Sequence, residues 1–257
     1  MSRALVRPTS RRLADGQLTH IERVAVDVDL AERQWEAYCD ALGAWGFETI
    51  RVERDDELPD SVFVEDAVVV FGGLAVLTSP GAETRRPETD AVRATVEGLG
   101  LELAAIELPG TLDGGDVLKV GDTVYVGQGG RTNGEGIRQL RELLTPRGWT
   151  VVGVPVTKVL HLKSAVTALP DGTVIGHPDD VDHPGIFPRF LPVPEHGAAV
   201  VVLAPDTVLM AASVPRSQAL VESLGYRVVS VDVSEFEKLE GCVTCLSVRL
   251  REASAIR

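Results

Sequence analysis

Cysteine is scarce in this 257-residue chain, with one at position 39 and two more at 242 and 245. So small and odd a number in a chain this long does not make a disulfide framework. Cys242 and Cys245 form a single C-x-x-C. A structural zinc site takes about four ligands, and no second C-x-x-C or close Cys/His pair is present to complete one. No apolar run approaches the roughly 18 residues that a membrane span needs. The first sixteen residues, MSRALVRPTSRRLADG, are basic but contain neither an apolar core stretch nor a small-residue cleavage site, so they do not read as a secretory signal. Positive charge is also short: 25 Lys and Arg stand against 38 Asp and Glu, a net charge of -13. Such a field disfavours phosphate backbones and anionic lipid and welcomes a small cation. With no linker and no low-complexity stretch, the expectation is one soluble, cytoplasmic domain over residues 1–257, with free thiols. A homodimer is compatible with these features.

What the chain does have is recurrence. Short strands, often paired as hairpins, alternate with amphipathic helices. A strand over Met1 to Val6 precedes a helix from Leu30 to Trp45, whose apolar Leu30, Trp35, Tyr38, Leu42 and Trp45 recur at helical spacing. A strand from Phe47 to Val52 follows. Val62 to Phe71 reads as a strand that turns at Gly72-Gly73 into Leu74 to Thr78, then a helix from about Arg86 to Leu99 and a strand through Ile106. Val117 to Val120 turns at Gly121-Asp122 into Thr123 to Gly127; a helix from Asn133, its candidate N-cap, runs to Leu144, and Thr150 to Val154 completes the unit. Val159 to Ala168 opens a fourth unit whose later part, rich in Pro and His, is hard to read. Ala199 to Leu203 opens a fifth, with a helix from Arg216 to Leu224. A final strand, Val243 to Leu250, has to join an earlier unit. Units of roughly 45–50 residues, each too small for its own core, point to repeats packed around an axis. Five ββαβ-like units closed into a ring are expected. A doubly wound α/β sheet is the competitor, and the hairpins argue against it because parallel strands need crossovers.

Several residues stand out against this background. Cys245, in GCVTCLSVRL, reads either as a small buried hydrophobe or as a nucleophilic thiol that needs a base or acid from elsewhere in the chain. His161, in VLHLKSAV, lies in an apolar stretch and reads as a core histidine or a general acid/base. Asp113 and Asp116 flank two glycines in TLDGGDVL, as a turn requires. Glu65 and Asp66 are harder to dismiss. Two adjacent acids within an apolar strand put one on each face, and a carboxylate on the core face is costly unless it is paired or serves a cation. Arg85, Arg86 and Arg131 follow hairpins and read equally as surface residues.

Together the segments SVFVEDAVVV, SPGAETRRPETD, GTLDGGDVLKVGDTVYVGQGGRTN, VLHLKSAV, LGYRVVSVDVSEFEKLEG and VTCLSV resemble, in order, those of the dimethylarginine dimethylaminohydrolase family, within the guanidino-group-modifying, or pentein, superfamily. The resemblance implies a five-bladed α/β propeller of ββαβ units acting on a small cationic guanidino substrate without metal or organic cofactor. It implies Cys245 as nucleophile, His161 as proton-transfer residue with Asp113 beside it, and Asp66 as the carboxylate for the guanidinium. Asp60, Glu65, Arg85 and Arg131 match substrate-binding positions, with Leu18 and Leu239 as backbone contacts. Two departures are visible. The stretch EHGAAVVV carries Ala198, Ala199 and Val200 where relatives often have Ala-Ala-Asn. The position two after His161 is Lys163, where the related arginine deiminases resemble a His-Leu-Asp pattern. A deiminase-like activity and a propeller that only binds are the alternatives, with a zinc-binding or redox role for the C-x-x-C as a third, minor one.

Overall fold

The computed structural model describes residues 2–250. Met1, where the expected first strand begins, lies outside the described residues, as do positions 251–257 of the expected domain. Among the described residues the strands form five three-stranded sheets. In each, the middle strand pairs antiparallel with one neighbour and parallel with the other. Each sheet is one blade of a five-bladed α/β propeller. Blade 2 runs Val68–Phe71, Leu74–Leu77, a helix over Glu88–Glu97, then Glu102–Ala105. Blade 3 runs Val117–Val120, Thr123–Gln128, a helix over Gly134–Leu144, then Thr150–Pro155. Blade 5 runs Val200–Ala204, Thr207–Ala211, a helix over Pro215–Ser223, then Arg227–Val231.

Blade 1 is assembled from both ends of the chain. Val248–Leu250 pairs antiparallel with Ser2–Val6, which pairs parallel with Phe47–Arg51 across the helix Val28–Ala44. The last strand therefore does join the earliest unit. Blade 4 lacks a helix: Val166–Ala168 and Val174–Gly176 are followed by one 3-10 turn, Pro184–Ile186, before Phe190–Pro192. Its crossover is the Pro- and His-rich stretch that carries no helical periodicity.

Local signals explain most element ends. The hairpins turn at Gly72-Gly73 and Gly121-Asp122, with Phe71 facing Leu74 and Val120 facing Thr123. The Asn133 side chain accepts from the Gly136 N–H at 2.8 Å, satisfying a donor that the helix leaves open. Along that helix Ile137, Leu140 and Leu144 are buried, while Glu135 and Arg138 pair on the solvent side. The first strands of neighbouring blades approach one another around the axis: Val248–Leu250 meets Val68–Phe71, and Val117–Val120 meets Val166–Ala168. What immediately precedes each first strand is thereby delivered to one end of the ring.

Three strand expectations are corrected at that end. Glu65 and Asp66 are not in a strand; Val64–Ala67 is a 3-10 turn, and the strand begins at Val68. His161 is not in a strand; it precedes a short helix, Leu162–Ala165, and the strand begins at Val166. The final strand begins at Val248 rather than Val243, so Cys245 lies in the turn before it. In all three places an apolar run reads as strand because a buried helical turn and a buried strand have the same composition, and only length separates them.

Candidate active site

The turns before the first strands of blades 1 to 4 supply Cys245, Asp66, Asp113 and His161. Each is buried. Cys245 is held in place by its neighbours. The buried Tyr38 hydroxyl, from the helix Val28–Ala44, donates to the Val243 carbonyl at 2.9 Å and lies 2.7 Å from Ser247 Oγ. The Glu65 N–H donates to the Cys245 carbonyl at 3.3 Å.

His161 Nε2 lies 2.9 Å from Asp113 Oδ2, and Nδ1 lies 3.9 Å from Asp66 Oδ1. Burial alone would lower the imidazole pKa. The charge of Asp66, the hydrogen bond to Asp113 and the nearby Asp116 outweigh it and raise the value to about 9. Asp113 Oδ1 accepts from the Gly81 N–H at 2.8 Å. Asp116 points elsewhere: it accepts from Thr132 Oγ1 at 2.6 Å and from the Leu162 N–H at 2.9 Å. It thus fixes the backbone beside His161, and burial pushes it up to about 6.

Asp66 accepts from Arg85 Nη1 at 2.8 Å and from the Gly115 N–H at 2.8 Å. Burial opposes its charge, but His161 and Arg85 hold it down at about 2. Gly115 is required by this approach: a Cβ there would come within 2.6 Å of His161 Nδ1 and 2.7 Å of Asp66 Oδ1. The glycines of TLDGGDVL therefore serve close packing as well as turning. Arg85 makes four hydrogen bonds, to Asp66, to both oxygens of Glu88 and to the Asp60 carbonyl.

Cys245 Sγ lies 3.5 Å from Cys242 Sγ. That contact, burial, and the charges of Glu65 and Asp66 raise the Cys245 thiol well above its ordinary pKa. The thiol and the imidazole thus border one cavity with both of their pKa values raised.

One narrow cavity brings most of the expected residues together: Asp60, Asp66, Arg85, Arg131, His161, Leu239 and Cys245 all border it. Asp113 stands behind His161. Two further expected residues are, like Asp113, not on its wall. Leu18 is half-buried and packs against the apolar core of blades 1 and 5, while Gln17 beside it borders the cavity and donates its N–H to Asp60. Glu65 turns away, accepting from Thr244 Oγ1 at 2.9 Å and pairing with Lys163 Nζ at 2.5 Å. The Glu65 side chain is thus placed off the cavity wall, as a buried ion-pair partner of Lys163. Adjacent acids on a turn point in different directions, and Lys163 meets the one that faces the core.

Sequence reasoning also missed Phe63, Leu160, Glu240 and Gly241 on the wall. Gly241 has a physical signal in hindsight, since a Cβ there would lie 2.4 Å from the Phe63 ring. Glu240 has φ 60° and accepts from the N–H groups of Thr19 and His20 at 2.5 and 2.9 Å, drawing the loop that carries Gln17 over the cavity. Arg131 also borders the cavity. Its Nη1 is buried without a hydrogen-bond partner and lies 4.0 Å from Asp113 Oδ2, while Nη2 donates to Thr19 Oγ1 at 3.1 Å.

Asp66, Asp113 and His161 bring possible metal-ligand atoms within 4.8 Å of one another. The His161 ring is already bonded to Asp113, and Arg85 already sets a cation against Asp66. The trio reads as a proton-holding set. Among the described residues no helix is long and apolar enough to cross a membrane.

No protein-family model matches the chain. It is 62% identical over 251 residues, 97% of each chain, to the N(G),N(G)-dimethylarginine dimethylaminohydrolase of Streptomyces coelicolor, and 37% identical over 95% of this chain and 98% of the other to that of Pseudomonas aeruginosa. The solved structure of the Pseudomonas enzyme, a Cys-to-Ser variant in complex with citrulline, superposes with a TM-score of 0.90 at 35% identity, covering 96% of this chain and 98% of that one. The N-terminal domain of a cyanobacterial arginine dihydrolase, bound to its substrate, shares the fold at a TM-score of 0.85 and 19% identity, covering 98% of this chain and 99% of that one.

Proposed function

The chain belongs to the dimethylarginine dimethylaminohydrolase family, and from that premise we propose that it hydrolyses Nω-methylated arginines to citrulline and dimethylamine or methylamine. The observation that carries this reading is the convergence of Cys245, His161 and Asp66, from three blades, on one cavity, with the imidazole held by Asp113.

The guanidinium of the substrate binds against Asp66. A carboxylate has about four lone-pair sites, so Asp66 retains acceptor capacity beside Arg85 and Gly115. The arriving cation lowers the raised Cys245 thiol, whose proton leaves to solvent. The thiolate attacks the guanidinium carbon. His161, protonated at rest, gives its proton to the departing amine as the C–N bond breaks, leaving an S-alkylthiouronium on Cys245. Neutral His161 then takes a proton from a water that attacks the same carbon. The C–S bond breaks, and citrulline leaves with the thiol restored. None of these steps calls on a metal or organic cofactor. At the amino-acid end, Arg131 Nη1, which has no hydrogen-bond partner, is the donor for the α-carboxylate, and Asp60 with the backbone near Gln17, Leu18 and Leu239 receives the α-ammonium. Arg85 acts mainly by holding Asp66. The reading extends to a cytoplasmic protein working as one catalytic domain over residues 1–257.

Lys163 favours methylated arginine over arginine. It stands where the deiminase pattern has an acid, and it neutralises Glu65, so no spare carboxylate is left for a second terminal nitrogen. A dimethylated nitrogen has no proton to donate and loses nothing. Citrulline formation from asymmetric dimethylarginine, monomethylarginine and arginine, measured side by side, tests the reading. The methylated substrates are expected to have much the higher kcat/KM; comparable values for arginine would overturn the assignment.

A further inference from the structure

We propose that Cys242 and Cys245 form an oxidative modification site, at which a small hydroperoxide converts the two thiols into a disulfide that reversibly removes the nucleophile. Both thiols are free, and their sulfurs lie 3.5 Å apart. The backbone between them is already shaped for a bond. The Cys245 N–H donates to the Cys242 carbonyl at 3.1 Å, closing a turn of the kind whose end Cα atoms lie within about 7 Å. A disulfide spans Cα atoms about 4.4–6.8 Å apart and holds its sulfurs at about 2.05 Å. Side-chain rotation over a short distance therefore suffices, with the turn kept.

The two thiols differ in setting. Cys245 is buried on the cavity wall, whereas Cys242 is half-buried and not on it. The hydrogen bond from Cys245 lowers the Cys242 thiol to about 7, so the thiol of the less buried residue is also the readier thiolate. Its attack on the hydroperoxide breaks the O–O bond, releases water or an alcohol, and leaves a sulfenic acid on Cys242. Cys245 sulfur then attacks Cys242 sulfur. The S–O bond breaks, and the hydroxyl leaves as water with the Cys245 proton. Two electrons pass from the thiols to the hydroperoxide, and either order of attack ends in the same disulfide. A solitary nucleophilic cysteine would go on to irreversible sulfinic acid; a partner at 3.5 Å intercepts it first. Metal capture is the other use of a C-x-x-C, yet neither cysteine joins a metal-ligand cluster among the described residues.

The proposal rests on the functional reading only in taking Cys245 as the nucleophile, and its test needs no turnover. The full-length protein is titrated with hydrogen peroxide and followed by intact mass, by peptide mapping and by labelling of Cys245 with a haloamidine. The wild type is expected to lose about 2 Da, with 242 and 245 linked and Cys39 free, to lose labelling in step, and to recover both on adding dithiothreitol. Cys242→Ser and, as a second variant, Cys242→Ala are expected to show no such mass loss and to accumulate oxygen on Cys245 that dithiothreitol does not remove. Uptake of oxygen by the wild type without the 2 Da loss, linkage to Cys39, or a reversible mass loss in either variant would overturn the proposal. A disulfide in a protein that fails to hydrolyse methylated arginines would leave the thiol pair standing and remove the hydrolase reading instead.

Discussion

Blades 1 to 4 and blade 5 present the same architecture to the ring axis but different chemistry. Before the first strand of blades 1, 2, 3 and 4 come Cys245, Asp66, Asp113 and His161. Before Val200–Ala204 in blade 5 come Gly197, Ala198 and Ala199, and His196, at the offset that Asp113 has in blade 3, is exposed and paired with Asp180. The backbone N–H of Val200 is tied to Thr167 Oγ1 of blade 4 at 2.9 Å. The difference teaches that the fold supplies five equivalent places at one end of the ring, and that the identity of one or two residues decides which of them carry function. The departure from the family pattern at Ala198-Ala199-Val200 falls in the place whose nearest ionisable side chain, His196, is exposed and paired with Asp180.

The comparison breaks most sharply at blade 1. Cys245→Ser should lower kcat/KM by at least about four orders of magnitude, because serine's proton is far harder to remove and His161 is already protonated. A haloamidine that labels the wild type at Cys245 should leave this variant unlabelled, and stoichiometric labelling of Cys242 instead would mean that the other thiol is the nucleophile. At blade 2, Asp66→Asn keeps shape and removes charge. Loss of one partner of a buried charged pair costs roughly 3–5 kcal/mol, so kcat/KM should fall at least about a hundredfold in a protein that still folds. Near-normal kinetics would assign Asp66 to holding Arg85 alone.

Blade 3 acts through blade 4, and pH exposes it. His161 keeps its proton up to about 9, so activity that depends on general acid should fail as pH rises through about 9. In Asp113→Asn the hydrogen-bonded charge is gone, and that alkaline limb should move down by at least about one pH unit, toward the ordinary histidine value of about 6.5. The same raised pKa has a stability consequence. The favourable charge of His161 is fully present below about 6.5 and is lost as pH rises to about 9. A pH-independent Asp113→Asn defect would mean that Asp113 only packs. Blade 5 gives the smallest expected effect: Ala198→Ser should leave kcat/KM within about threefold of wild type, as an independent site does. A large loss there would show that the fifth place takes part after all.

Much of this was legible in the residues. The hairpin glycines, the Asn133 cap, the helical spacing of Ile137, Leu140 and Leu144, and the unit length of the repeat are local signals, and local hydrogen bonding and apolar periodicity act within a few residues of where they are written. The ordered motifs carried the family, and with it the candidates Cys245, His161, Asp113 and Asp66. The turn-versus-strand error at Val62, Val159 and Val243 marks the limit of such signals, since burial on all sides erases the periodicity that separates the two states. What lies beyond that limit was decided by the tertiary structure alone. Glu65 faces Lys163 rather than the cavity; Gln17, not Leu18, reaches the wall; Asp113 and Asp116, three residues apart, serve an imidazole and a backbone amide. Each of these depends on contacts between segments some 40 to 180 positions apart. Which side chain meets which is set there by the closing of the ring around its axis, and no spacing along the chain encodes it.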